Sequence, residues 1–132
     1  MEDAALENLV TGYCDAWNEA DPAKRDAMLA VVWTDDGVYS DPTVQTIGRS
    51  DLVAHIGRVL ARNPDSRILR TSRADAHHGL LRFTFARITA KGEVLRDGID
   101  FGELSVDGKL RRITGFFGPV AANSLLTHSS LS

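Results

Sequence analysis

Two carboxyl groups and a phenol stand out in the 132-residue sequence because their neighbours do not explain them. Asp100 falls in the middle of a strand-like run, between Ile99 and Phe101, with Gly98 and Gly102 two residues away on either side. Side chains at 98, 100 and 102 share one face of a strand. Aspartate is a poor choice there, and flanking glycines strip the face of bulk, as where another group approaches closely. A cavity over that face accounts for all three residues. Asp41 ends a shorter strand-like run before Pro42, and Tyr13 lies on the apolar stripe of the first helix-like segment. Carboxyls and phenols hold, give or take protons. Each also has an ordinary alternative: a core tyrosine with a satisfied hydroxyl, a turn-initiating aspartate before proline, and a hydrogen-bonded structural aspartate.

The elements that must position these groups follow from periodicity. Leu6, Leu9, Val10, Tyr13, Ala16 and Trp17 recur at helical spacing within residues 4–20. Asp21-Pro22 is an N-cap followed by proline at the first helical position, starting a second helix toward Trp33. Residues 34–37 are expected to break it, leaving a short strand at 38–41 and its hairpin partner at 44–47. A third helix, capped by Ser50, carries Leu52, Val53, Ile56, Val59 and Leu60 on one face and stops at Asn63-Pro64. Four strands follow at 68–75, 80–89, 94–104 and 110–117, joined at His78-Gly79, Lys91-Gly92 and Asp107-Gly108. Helices first and an antiparallel meander later predict an α+β fold, a helical layer on one face of a curved sheet. The whole chain, 1–132, reads as one domain with a tail from about residue 120.

Alternation places Leu81, Phe83, Phe85 and Arg87 on one strand face and Arg82, Thr84 and Ala86 on the other. The aromatic face is expected inward, and it carries Arg87 with it. An inward guanidinium would either hold Asp100 ionised or suit an anionic substrate such as a carboxylate. Trp17, Val38, Ile56, Phe83, Phe85, Ile113 and Phe117 are candidates for the pocket wall, although core packing explains each equally well. Gly115 shares a face with Ile113 and Phe117 and either leaves room for a ligand or marks curvature.

Composition narrows the function. Hydrophobic residues make up 43% and charged residues 25%, and the net charge is −3, unlike a basic nucleic-acid coat. Residues 1–57 hold three basic and eleven acidic side chains, whereas residues 58–87 hold seven arginines and two aspartates. Arg58, Arg62, Arg67, Arg70 and Arg73 are expected to form a solvated face pairing with the acidic half. The single Cys14 excludes an internal disulfide. His77 and His78 point to opposite faces of a strand, so no metal site is expected, and His55 and His128 are expected at the surface. Phosphate loops and nucleophile-elbow motifs are absent. Neither a cofactor nor a nucleic-acid or membrane partner is expected. The acidic opening lacks an apolar core for export, and the expected location is cytoplasmic.

With Trp17-Asn18, Asp41-Pro42, Gly48-Arg49, Asp100-Phe101 and Gly115-Phe116-Phe117-Gly118 at these places, residues 4–119 resemble the nuclear transport factor 2-like superfamily. The closer resemblance is to its SnoaL-like polyketide cyclase and ketosteroid isomerase group. The resemblance implies a cone of antiparallel sheet (a cystatin-like α+β barrel) around the N-terminal helices, enclosing an apolar pocket. It also implies roles: Asp41 as general base, with Tyr13 and a protonated Asp100 as hydrogen-bond donors to an oxyanion. The implied ligand is a small apolar carbonyl compound, and the implied assembly a homodimer through the outer sheet face. Three functions stay open on this basis. They are enolisation by an isomerase or cyclase, a non-catalytic binding or dimerisation module, and an epoxide hydrolase using Arg87 or Arg96 beside Asp100.

Overall fold

In the computed structural model, which describes residues 1–123, three helices pack on one curved, unclosed sheet of seven strands. The helices are α1 (Asp3–Ala16), α2 (Pro22–Val32) and α3 (Arg49–Arg62). The strands are β1 (Trp33–Asp41), β2 (Val44–Ile47), β3 (Ser66–Arg70), β4 (Asp75–His77), β5 (Leu80–Thr89), β6 (Val94–Leu104) and β7 (Leu110–Phe117). The main sheet order is β2-β1-β7-β6-β5-β3, and β4 pairs with β5 off that path. The α+β class read from the sequence is the one observed. His128 and the Ser-rich end from Ser124 onward lie outside the described residues.

The second helix starts as its sequence dictates. Pro22 takes the first position and the Asp21 carboxylate accepts from the Ala23 N–H at 3.0 Å. Its anchor is Arg25, a buried guanidinium that donates to the carbonyls of Glu19 (2.9 Å), Val53 (2.8 Å) and Ala20 (3.2 Å). That one side chain ties the α1–α2 connection to α3.

Three local expectations are corrected. First, residues 34–37 do not interrupt the structure between α2 and β1; they belong to β1 and form the register shift between Trp33 and Val38. Trp33 is fully buried, and its indole occupies the space above Gly37, where a Cβ would sit 2.4 Å from Nε1. Second, Gly48 rather than Ser50 precedes α3, because the chain leaves β2 with φ +89°, a conformation suited to glycine. Third, the run 68–75 divides into β3 and β4. The intervening backbone is held from α1, whose Glu7 carboxylate accepts from the Ala74 N–H at 2.8 Å and pairs with Arg70.

The meander itself follows the sequence, with β5 to β6 and β6 to β7 antiparallel. His78 (φ 51°) and Gly79 (φ 77°) both adopt left-handed backbone at the β4–β5 turn. The β1–β7 pair, in contrast, is parallel, with Tyr39 opposite Ile113 and Ser40 opposite Thr114. The long crossover through α3 and the meander is what permits it. This pair brings Asp41 beside the strand that neighbours Asp100.

Gly98 has little tolerance for change. A Cβ there would lie 2.2 Å from the Phe116 carbonyl oxygen, which is backbone and cannot rotate away. Gly98→Ala is expected to destabilise the protein by roughly 3 kcal/mol. The check is a denaturant midpoint that falls with an unchanged slope.

Candidate functional site

Asp100, Tyr13 and Asp41 face one cavity of about 480 Å³ between α1, α3 and the concave sheet face. Trp17, Phe83, Phe85, Arg87 and Phe117 line it too, together with Tyr39, His55, Arg62 and Arg96. Ile56 and Ile113 are instead fully buried in the core, and Val38 lies half-buried off the cavity. Strand alternation explains Val38. Tyr39 and Asp41 share the inward face of β1, so Val38 must point the other way.

Asp100 is held by the register of three strands. It stands opposite Phe83 on β5 and Gly115 on β7. A Cβ on Gly115 would lie 2.7 Å from Asp100 Oδ1 and 3.7 Å from Asp41 Cβ. Gly115 therefore makes room for a carboxyl group, and the two aspartates flank it. Asp100 is 7% exposed, and its Oδ1 has no hydrogen-bond partner. Burial, then the neighbouring charge of Asp41, pushes its pKa up to about 7. Among the described residues no arginine forms a salt bridge with Asp41 or Asp100. Arg82, on the outer face, pairs with Asp75.

Asp41 has the opposite environment. Its Oδ2 accepts from the Tyr39 hydroxyl at 2.6 Å, and its Oδ1 accepts from the Thr43 N–H at 2.7 Å and hydroxyl at 2.6 Å. Three donors fix its orientation and leave lone-pair capacity toward the cavity. Tyr13 stacks on Trp33 (centroids 5.7 Å apart) and meets Phe83 edge-on at 6.4 Å. Its buried hydroxyl has no partner, and burial, then the Asp100 charge, holds its pKa well above the usual phenol value. A neutral phenol and a carboxylic acid near neutrality thus face the cavity as donors, with an oriented carboxylate beside them.

Several lining residues escaped the sequence reading, His55 and Tyr39 among them. His55 is only 3% exposed, correcting the surface expectation, and it packs on Trp17 and Tyr39 at centroid distances of 5.8 Å. Burial pushes its pKa down, favouring neutral imidazole. The signal was present: Leu52, His55, Ile56 and Val59 continue one helical stripe. Tyr39 escaped because Val38, its neighbour on the opposite face of β1, stood as the wall candidate on that strand. Cys14 also lines the cavity, but burial pushes its thiol up to about 12, which suppresses the thiolate.

Residues 10–113 match the SnoaL-like domain family. Among curated proteins none matches the sequence. A solved structure from Agrobacterium tumefaciens strain C58, an isomerase of the SnoaL-like family by provisional assignment, superposes with TM-score 0.82. The two are 25% identical over 88% of this chain and 99% of that one. A SnoaL-like protein of unknown function from Burkholderia thailandensis E264 has TM-score 0.69 and 16% identity, covering 90% and 99%. A polyketide cyclase by provisional assignment, from Xanthomonas campestris pv. campestris, has TM-score 0.60 and 21% identity, covering 87% and 91%. The latter two likenesses concern the fold.

The buried acid has a stability signature. Asp100 is raised in the folded protein from 3.8 to about 7, so the native state holds a proton that the unfolded chain releases. Its favourable effect is complete below pH 4, is lost as pH rises toward 7, and stays lost above. Relative to Asp100→Asn, the wild-type protein is expected to lose about 4 kcal/mol across that window. Denaturation at a series of pH values checks this, and Asp41→Asn should shift the Asp100 midpoint downward.

Proposed function

Because the chain belongs to the SnoaL-like family, we propose that its cavity binds a small carbonyl compound and catalyses enolisation, as an isomerase or a cyclase. The observation that carries this reading is the pair of unpartnered donors, Tyr13 and Asp100, facing the same cavity as the oriented Asp41 carboxylate. Asp41 takes the acidic proton next to the carbonyl. The carbonyl oxygen becomes an enolate oxygen and is met by the Tyr13 hydroxyl and protonated Asp100. In an isomerase, Asp41 returns the proton at another carbon. In a cyclase, the enolate carbon attacks a second carbonyl of the same molecule, the first carbonyl re-forms, and the proton held by Asp41 passes to the new alkoxide, leaving both acids as they began.

The aromatic wall supports the reading by keeping water from Asp100, without which the acid would ionise. Arg87 and Arg96 make no salt bridge with Asp100, so the aspartate–arginine–aspartate grouping of an epoxide hydrolase has no support in the geometry. For assembly, the supported reading is a homodimer through the outer sheet face. There Phe101 (43% exposed) and Phe116 (54% exposed) meet edge-on at 6.0 Å.

The test is deuterium incorporation into 2-tetralone, a compact ketone with acidic α-protons, followed by NMR. Wild-type protein is expected to accelerate exchange, and Asp41→Asn to reduce that acceleration by about 100-fold or more. Unchanged exchange in Asp41→Asn sinks the general-base assignment. In parallel, 2-naphthol should mimic the enolate and bind roughly tenfold or more weakly to Tyr13→Phe and to Asp100→Ala. Binding of 2-naphthol without any exchange favours a non-catalytic binding module.

A further inference from the structure

The described residues bury two arginines, and the fold treats them differently. Arg25 donates from each of its three nitrogens to a backbone carbonyl. Arg87, at 6% exposure, has one protein partner: its Nη1 donates to Ser66 Oγ at 2.9 Å. That hydroxyl donates its own proton to the Asn63 carbonyl at 2.6 Å, which fixes it as an acceptor toward Arg87. A guanidinium has five N–H donors, and no carboxylate or carbonyl of the described chain takes the rest. A buried cation without a counter-ion is unfavourable, yet this one faces the cavity.

Its surroundings carry the same sign. Arg96 stands opposite Arg87 in the β5–β6 register, with its guanidinium 4.1 Å from the Phe117 ring centre. Arg62 lines the cavity from the last turn of α3. Among the described residues none of these three arginines forms a salt bridge. The buried acid lies further along the sheet. Asp100 is opposite Phe83, four residues along β5 from Arg87, a backbone separation of about 13 Å. The intervening wall is aromatic, with Phe83 and Phe85.

We propose that the substrate is an oxo acid: its carbonyl lies at Tyr13 and Asp100, and its carboxylate is held by Arg87, with Arg96 and Arg62 nearby. A planar guanidinium fork matches a carboxylate in two-point geometry, and an apolar ring fits between the ends. The carbonyl end rests on the enolisation reading. The carboxylate end rests on Arg87 alone.

The experiment compares 2-naphthoate with its neutral methyl ester at pH 7 by calorimetry, and uses 2-naphthol for the other end. In wild-type protein the acid is expected to bind at least tenfold tighter than the ester, and that advantage should shrink as salt rises. Arg87→Met, its fold confirmed by circular dichroism, should abolish the advantage, and Arg87→Lys, which keeps the charge but not the two-point fork, should keep only part of it. An ester that binds wild-type protein as tightly as the acid overturns the proposal, and needs no variant to fold. An acid preference that survives in folded Arg87→Met also overturns it. Because 2-naphthol carries no carboxylate, its dependence on Tyr13 reports on enolisation separately, so either end can fail without the other.

Discussion

The structure depends on keeping one carboxyl group, Asp100, out of water without neutralising it by a cation. Dehydration of a charged carboxylate is expensive, and the protein's answer is to favour the protonated form. Much of the surrounding architecture serves that condition. Gly115 removes the side chain that would collide with the carboxyl, Phe83 stands opposite on the adjoining strand, and Tyr13 packs edge-on against Phe83. Arg87 shares the inward face of β5 with Phe83 but lies four positions away. That offset is what lets an acid near neutrality and a guanidinium occupy one cavity without collapsing into an ion pair.

The uneven charge of the sequence finds only part of its meaning at the surface. Arg70 reaches back to Glu7, and Arg49 joins Asp26 and Asp35, so basic side chains do meet the acidic N-terminal half. Such partly exposed pairs contribute modestly to stability. Glu7 is more telling for what it does to the chain: it holds both Arg70 and the Ala74 backbone N–H, which sets where β3 ends. Among the described residues, Asp41, Asp100 and Arg87 face the cavity without forming a salt bridge.

The meander was legible because its residues answer to local rules: alternating apolar positions and glycine turns bounded β5, β6 and β7 correctly. The helices were equally readable from their stripes and from Asp21-Pro22. What escaped depends on contacts distant in sequence. Whether residues 34–37 break the chain or bulge within β1 is decided by Trp33 folding over Gly37 and by pairing with β7, about 75 residues on. The separation of β3 from β4 is decided by Glu7 of α1. In the site, Asp100 announced itself by its glycine neighbours, whereas His55 did not, because a histidine on an apolar stripe reads equally well at its edge.

The two aspartates are coupled, and the coupling gives the enolisation reading internal consistency. The Asp41 charge is the second cause, after burial, of the raised Asp100 pKa. When Asp41 accepts the substrate's proton, that charge disappears from the carboxylate, which on its own would weaken Asp100's hold on its proton. At the same step an equal charge appears on the enolate oxygen, which lies nearer to Asp100 than Asp41 does if the oxygen accepts its hydrogen bond. The cavity's total charge is unchanged, and Asp100 stays in the field of an anion throughout. Its proton is therefore retained as a hydrogen bond at the moment it is needed. A site in which a cation held Asp100 would lose this property, since the acid would already be ionised and would repel the enolate. On the enolisation reading, the lack of a salt bridge to Asp100 among the described residues belongs to the chemistry together with the groups that line the cavity.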